Sequence, residues 1–205
     1  MIFKTAPTSH GLFSAEKTYL CDTMPRRIIL VTGGARSGKS EYAERLALRL
    51  SDRPVYIATA RIWDEEFRIR VEAHRRRRGE QWTTIEEARA LSRHDVTGRV
   101  VVIDCITLWC TNFFWDEECG GVQRATGDAL SALKAEFDAF TQHDAVYIFV
   151  TNEIGSGGVS PSGAQRAFTD LQGWMNQYVA SCADDVVLLV CGIPVTIKGK
   201  MYEGV

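Results

Sequence analysis

The feature that most constrains the fold is an apolar run followed at once by a glycine-rich turn and an amphipathic helix. Residues 28–31 are all apolar, as expected for a strand buried on both faces of a parallel sheet. The turn matches the pattern G-x-x-x-x-G-K-[ST], with the residues Gly33, Gly34, Ala35, Arg36, Ser37, Gly38, Lys39 and Ser40. Apolar residues then recur at helical spacing: Ala43, Leu46, Ala47 and Leu50. In this strand–turn–helix order the motif predicts binding of a nucleoside triphosphate.

The residue types of this turn fit phosphate chemistry. Glycines let the backbone curl so that successive N–H groups point at phosphate oxygens, and the helix N-terminus adds positive potential. We expect Lys39 to act on the β- and γ-phosphates as a catalytic residue, and the Ser40 hydroxyl to bind Mg²⁺. Asp104 ends a second apolar run, residues 100–103, where a carboxylate that holds Mg²⁺ is expected.

The rest of the chain alternates between strand and helix patterns. Strands are predicted at residues 55–58, 100–104, 146–150 and 186–190, with an edge strand within 192–197, and helical stripes lie between them. This alternation predicts a three-layer α/β P-loop fold with a mainly parallel sheet. Residues 1–25 lack periodicity and are predicted to be a flexible, dispensable extension, and residues 26–205 a single catalytic domain.

Composition excludes several classes of protein. The chain is 45% hydrophobic and 24% charged, which does not fit a disordered chain or a coiled coil. A net charge of −2 argues against nucleic acid as a partner. No apolar run approaches the length of a membrane span. The six cysteines lack metal or C-x-x-C spacing, which indicates reduced thiols and a cytoplasmic protein.

A basic run follows His74: Arg75, Arg76, Arg77 and Arg78. By spacing alone His74 continues the apolar face of Trp63, Phe67 and Val71 in a charged helix predicted at residues 64–77, which favours a partly buried core histidine. The functional alternative is that the arginines surround a polyphosphate while a neutral imidazole attacks phosphorus. The spacing leaves both readings open.

Several segments in this order resemble a known family, the bifunctional adenosylcobinamide kinase/adenosylcobinamide-phosphate guanylyltransferases of cobalamin synthesis. The resemblance runs from Arg27 to Lys198. Besides the phosphate loop, it is carried by Tyr56-Ile57-Ala58-Thr59, by His74 with Trp82-x-Thr84-x-Glu86, by Asp104-Cys105-Ile106-Thr107, by Val150-Thr151-Asn152-Glu153-Ile154-Gly155 and by Gly192-Ile193-x-Val195-x-Ile197-Lys198. The chain departs from the family where Ala73 precedes His74, often a histidine pair, and at Asp104, often a glutamate.

The resemblance implies two reactions. ATP or GTP phosphorylates adenosylcobinamide, and GMP then passes from GTP through a guanylyl-histidine, here His74, to adenosylcobinamide phosphate, which gives adenosylcobinamide-GDP. It also implies a RecA-like fold, a homotrimer, and Mg²⁺ held by Ser40 and Asp104. The nucleotide contacts that it implies are Gly33 to Ser40, Ala58, Thr59, Ala60, Arg75 to Arg78, Glu86 and Asp104. Because guanine presents N–H donors, Glu86 is expected to accept from the base.

Two alternative functions remain at this point. The first is a P-loop kinase of another small molecule, in which His74 is structural. The second is a RecA-type assembly ATPase that couples hydrolysis to DNA or a protein partner, against which the mild acidity argues. Asn152 and Glu153 follow a predicted strand and are further candidates for orienting a substrate, and the glycine-rich residues 155–158 are a candidate loop over the corrinoid.

Overall fold

The computed structural model describes residues 24–61, 78–116, 121–202 and 204–205, together with residues 65, 68, 69 and 72. The strands of the described chain are β1 (Arg27–Gly33), β2 (Val55–Ala58), β3 (Thr83–Glu86), β4 (Val100–Asp104), β5 (Trp115–Asp116), β6 (Val122–Gln123), β7 (Val146–Val150), β8 (Asp185–Val190) and β9 (Ile193–Lys198). The helices are α1 (Lys39–Leu50), α2 (Ile106–Phe114), α3 (Thr126–Phe140) and α4 (Gly163–Cys182), with 3₁₀ turns at Leu91–Arg93 and Gly155–Gly157.

Seven strands form one sheet in the order β3-β2-β4-β7-β1-β8-β9. All neighbours pair in parallel except β8 and β9, which pair antiparallel. The strand that ends at Asp104 is separated from β1 by one strand, β7. The predicted three-layer fold with a mainly parallel sheet is therefore confirmed.

Alternation along the central strands divides the core between the two faces of the sheet. Ile29 and Val31 of β1 belong to the apolar cluster that contains α1, whereas Ile28 and Leu30 belong to the cluster that contains α2, α3 and α4. Each fully buried side chain of this size contributes roughly 1.5–3 kcal/mol to folding. The burial on both faces explains why these strands are continuously apolar in the sequence.

The carboxyl ends of the strands lie at one level because of their register. Val31 pairs with Val150, Val150 with Asp104, Asp104 with Ala58, and Ala58 with Glu86. The segments after these residues therefore emerge along one edge of the sheet, where ligands bind in open α/β sheets.

A buried carboxylate ties the two ends of the described domain together. Asp185, at the start of β8, accepts hydrogen bonds from Arg27 Nε (2.8 Å), Tyr202 Oη (2.7 Å) and the Lys200 backbone N–H (2.9 Å). Burial by itself raises the pKa of Asp185, but the hydrogen bonds from Lys200, Tyr202 and Arg27 together lower it below the ordinary value.

Some elements were not predicted from the sequence. Helix α2 has apolar and aromatic residues around most of its circumference, so it lacks the polar face that marks an amphipathic helix. Strand β3 is half exposed and the β5–β6 hairpin has only two residues a strand. Of the predicted charged helix at 64–77, residues 65, 68, 69 and 72 are helical, and Trp63, Phe67, Val71 and His74 lie outside the described residues.

The described part of the chain also bears on the expectations about membrane spans and cysteines. None of its helices is long and apolar enough to cross a membrane. Its four cysteines, Cys105, Cys110, Cys182 and Cys191, are free thiols. Burial raises the pKa of Cys105 to about 12 and also raises that of Cys110, so both buried thiols stay protonated.

Candidate active site

The phosphate loop between β1 and α1 has the curled backbone that its sequence predicts. Gly33 has φ of 150° and Gly38 has φ of 92°, and a Cβ on Gly33 would stand 2.6 Å from the Leu189 carbonyl oxygen. The Gly192 N–H donates to the Ser37 carbonyl oxygen at 3.0 Å, which holds the loop against the turn between β8 and β9. Only glycine meets the backbone and steric requirements at position 33.

Lys39 lies over the loop that precedes it. Its ammonium donates to the Gly34 carbonyl oxygen at 2.5 Å and to Ser37 Oγ at 3.4 Å. The residue is largely buried, and this burial lowers its pKa, partly opposed by the negative charge of Asp104. The ammonium is thus held where a polyphosphate curled into the loop would meet it.

A cavity of about 500 Å³ opens between the phosphate loop and the carboxyl edge of the sheet, and is called here the nucleotide cavity. It brings together most of the predicted site residues. Its lining includes Ala35, Arg36, Ser37, Gly38, Lys39, Ser40, Ala58, Ala60, Arg78, Asp104 and Asn152.

Other predicted residues lie elsewhere. Gly33 and Gly34 begin the loop and are not lining residues; Gly33 is buried and Gly34 is exposed. Glu86 is exposed at the end of β3, beside Ala58. Glu153 is exposed, and its N–H donates to the Gly33 carbonyl oxygen. His74, Arg75, Arg76 and Arg77 lie outside the described residues.

Thr59 is buried beneath the nucleotide cavity rather than in its wall. Its hydroxyl donates to the Cys105 carbonyl oxygen and accepts from the Cys105 N–H, both at 2.8 Å, and the residue is 0% exposed. The Thr59 carbonyl oxygen accepts from Asn112 Nδ2 at 2.7 Å. Thr59 therefore joins the end of β2 to Cys105, the residue that follows Asp104 and precedes α2.

Tyr56, which also lines the nucleotide cavity, is hydrogen-bonded to the Asp104 carboxylate. Its hydroxyl donates to Asp104 Oδ2 at 2.7 Å. Burial and the adjacent Asp104 raise the pKa of Tyr56 well above its ordinary value, so the phenol remains a donor. The ring packs edge-on against Trp82, with 6.0 Å between centroids, and lies 3.7 Å beneath the Arg78 guanidinium. Tyr56 belongs to a segment that carries the family resemblance, but its bond to Asp104 was not predicted from the sequence.

Arg78 is an almost completely buried cation at the wall of the nucleotide cavity. Its side chain is 5% exposed, and among the described residues it pairs with Glu44, at 3.8 Å between Nη1 and Oε1. Within the described chain, Nε and Nη1 have no hydrogen-bond partner. A buried guanidinium with unused donors is suited to a phosphate, which accepts from the planar fork of Arg.

A polar network fixes the loop after β7. Thr107 Oγ1 accepts from the Asn152 N–H and from Asn152 Nδ2, each at 3.1 Å, and from Gln172 Nε2 at 2.8 Å. Gln172 Nε2 also donates to the Asn152 carbonyl oxygen at 2.7 Å. Thr107 and Gln172 were not predicted as site residues, because one lies in an unpredicted helix and the other beside an apolar stripe.

Fold and site together define a P-loop nucleotide-binding enzyme, with a loop for phosphates and a carboxylate facing it across one cavity. A model of the cobinamide kinase / cobinamide phosphate guanyltransferase family matches residues 29–197, and the chain belongs to that family. The assignment made from the sequence is confirmed, and with it the enzyme class, a kinase and guanylyltransferase of cobalamin biosynthesis. The two alternative functions are not favoured.

Curated relatives agree with this assignment. The bifunctional adenosylcobalamin biosynthesis protein CobP of Pseudomonas aeruginosa is 38% identical over 175 residues, covering 83% of this chain and 97% of the relative. The bifunctional adenosylcobalamin biosynthesis protein CobU of Escherichia coli is 39% identical over 183 residues, covering 83% of this chain and 99% of the relative.

Solved structures of other proteins show a more distant likeness in general fold. The flagellar accessory protein FlaH of Methanocaldococcus jannaschii is 13% identical, with a TM-score of 0.42 over 87% of this chain and 81% of that one. The RadB recombinase is 14% identical, with a TM-score of 0.43 over 81% of this chain and 75% of that one.

Proposed function

We propose that this chain, as one domain over residues 26–205, performs both reactions of its family. It phosphorylates the hydroxyl of adenosylcobinamide with ATP or GTP, and it then transfers GMP from GTP to adenosylcobinamide phosphate to give adenosylcobinamide-GDP. The observation that carries the proposal is the nucleotide cavity, where the phosphate loop, Asp104 and the buried Arg78 converge.

Phosphoryl transfer depends on positioning and charge stabilisation. The loop N–H groups and Lys39 bind the β- and γ-phosphates, and Arg78 supplies a second positive charge from the wall of the nucleotide cavity. The substrate hydroxyl oxygen attacks the γ-phosphorus, the bond from that phosphorus to the bridging β–γ oxygen breaks, and the hydroxyl proton leaves to solvent. Asn152, fixed by Thr107 and Gln172, orients the hydroxyl that reacts.

Mg²⁺ fits the residues present. Ser40 and Asp104 both line the nucleotide cavity, and oxygen donors of this kind are the ligands that Mg²⁺ prefers. Tyr56 binds Asp104 Oδ2 and so fixes the direction of the carboxylate. When bound, Mg²⁺ neutralises charge on the phosphates. Ser40 and Asp104 would hold it.

Guanylyl transfer uses His74 as the nucleophile. An imidazole nitrogen attacks the α-phosphorus of GTP, the bond between that phosphorus and the α–β bridging oxygen breaks, and pyrophosphate leaves. A phosphate oxygen of adenosylcobinamide phosphate then displaces the imidazole, so the P–N bond breaks and free His74 returns. Arg75, Arg76, Arg77 and Arg78 stabilise the charge of the polyphosphate, and Glu86 accepts from the guanine N–H groups. We include the homotrimer and the cytoplasmic location in this proposal.

The intermediate can be tested directly with GTP labelled at the α-phosphate. We expect acid-labile, base-stable label on the wild-type protein and none on His74→Asn, which should still phosphorylate adenosylcobinamide. His143→Asn is the matched control, because His143 is exposed and lies beside the amino end of β7, and it should label normally. Full labelling of His74→Asn would show that another residue carries the guanylyl group.

A further inference from the structure

A second cavity, of about 520 Å³, lies outside the nucleotide cavity and has no role in the chemistry described so far. It is formed by the end of α2 and the start of α4. Its lining residues are Thr111, Trp115, Ser160, Ser162, Ala164, Gln165 and Phe168. We call it the second cavity.

Helix α2 connects the two cavities. Thr107 and Thr111 are four residues apart and lie on one face of α2, and Trp115 directly follows Phe114, the last residue of the helix. Thr107 is hydrogen-bonded to Asn152, which lines the nucleotide cavity, and Thr111 lines the second cavity. At 1.5 Å a residue, Thr111 lies about 6 Å along the helix from Thr107. The second cavity therefore begins one helical turn from the position proposed for the reacting hydroxyl.

Two aromatic rings line the second cavity, and each packs against a third, buried ring. Trp115 and Phe168 each pack edge-on against the fully buried Phe114, with centroids 5.2 Å and 5.5 Å apart. Both rings are only partly buried, so part of their apolar surface faces the opening. Val159, next to the lining residue Ser160, is 88% exposed.

The remaining lining groups are of three kinds: hydroxyls, one amide and the methyl group of Ala164. Thr111, Ser160, Ser162 and Gln165 provide neutral donors and acceptors, and none of the seven described lining residues carries a charge. Arg166 lies beside the cavity, where its Nη1 donates to the carbonyl oxygens of Ser160 and Pro161 at 2.8 and 2.9 Å and so fixes that rim. The aromatic rings, hydroxyls and amide of this lining suit a large apolar ring that carries uncharged amide arms.

We propose that the second cavity binds the edge of the corrin ring of adenosylcobinamide, with its amide side arms on the hydroxyl and amide rim. This inference rests on the proposed function and adds the corrinoid subsite to it. The ring stacks on Trp115 and Phe168, and the aminopropanol arm runs along α2 past Thr107, which places its hydroxyl beside Asn152 in the nucleotide cavity. Nucleotide and corrinoid thus occupy separate cavities.

The test is the Kd of the full-length protein for adenosylcobinamide, by calorimetry, together with its Kd for GTP. Loss of one stacking ring in Trp115→Ala should raise the corrinoid Kd about tenfold. Gln165→Ala, at an exposed position, should raise it about threefold through one lost hydrogen bond. Both variants should bind GTP as the wild type does. In kinase assays we expect a higher KM for adenosylcobinamide at unchanged KM for ATP.

Trp174→Ala is the matched control, because Trp174 lies on α4, is 46% exposed and is not part of the second cavity. It should leave both Kd values unchanged. An unchanged corrinoid Kd in Gln165→Ala and in folded Trp115→Ala would overturn this inference and leave the proposed function standing. A wild-type protein that binds GTP but not adenosylcobinamide would overturn both.

Discussion

Replacing Thr59 by Val tests whether this residue serves the fold or the nucleotide. The change removes the hydroxyl and leaves the Cys105 N–H, which donates to it at 2.8 Å, without that acceptor in the protein interior. An unsatisfied buried N–H costs about 1–3 kcal/mol. The lost bond to the Cys105 carbonyl oxygen adds about 1 kcal/mol, since that oxygen keeps the Trp109 N–H at 3.0 Å. The free energy of unfolding should fall by about 3 kcal/mol.

For a chain of this length, 3 kcal/mol corresponds to a fall in Tm of about 6–12 °C. Urea unfolding at 25 °C and thermal melts followed by circular dichroism measure both quantities. Thr59→Ser keeps the hydroxyl and removes one methyl group, so it should lose only about 1 kcal/mol. The Kd for GTP, measured well below Tm, should be unchanged in both variants. Wild-type stability in Thr59→Val together with a raised Kd for GTP would refute the reasoning and assign Thr59 to the nucleotide.

Two further predictions concern hydrogen-bonded carboxylates. Tyr56→Phe removes the donor to Asp104 Oδ2 but keeps the ring. Calorimetric titration of Mg²⁺ into the GTP complex should therefore give a Kd for Mg²⁺ that is raised roughly tenfold. An unchanged Kd would show that Tyr56 does not position Asp104. The pKa of Asp185 is lowered in the folded state, so its contribution to stability is present above the unfolded pKa of about 3.9 and is lost as pH falls through the folded pKa. The urea midpoint of the wild type should therefore fall more steeply below about pH 3.9 than that of Asp185→Asn, and parallel curves would contradict this assignment.

The sequence was sufficient for those parts of the site that depend on local pattern. The phosphate loop needs its glycines for backbone reasons that hold in any protein, and the apolar run before Asp104 marks a buried strand. Contacts between distant segments were not predictable in this way. The Tyr56–Asp104 bond depends on the pairing of β2 with β4, and alternation along each strand leaves that pairing undetermined.

Thr59 and Arg78 show that the direction of a side chain could not be predicted from the sequence. Both were assigned to the nucleotide by resemblance, yet Thr59 is turned into the protein and Arg78 lines the nucleotide cavity. The direction of the Thr59 side chain depends on its hydrogen bonds to Cys105, which precedes α2. That helix was not predicted, because its sequence is apolar on most sides. The second cavity could not be predicted from the sequence either, because its walls come from two helix ends that are 45 or more residues apart along the chain.

The position of β1 in the sheet has a consequence for how the protein is made. The partners of β1 are β7 and β8, which the ribosome synthesises more than 100 residues later, and the turn that holds Ser37 follows β8. A nascent chain that ends before β7 therefore carries the complete phosphate-loop motif on a strand that has neither of its neighbours. The entropy cost of bringing β1 together with β7 and β8 is compensated only when these strands pair. The capacity to bind nucleotide thus belongs to the finished chain, although its motif is among the first structured parts to be translated.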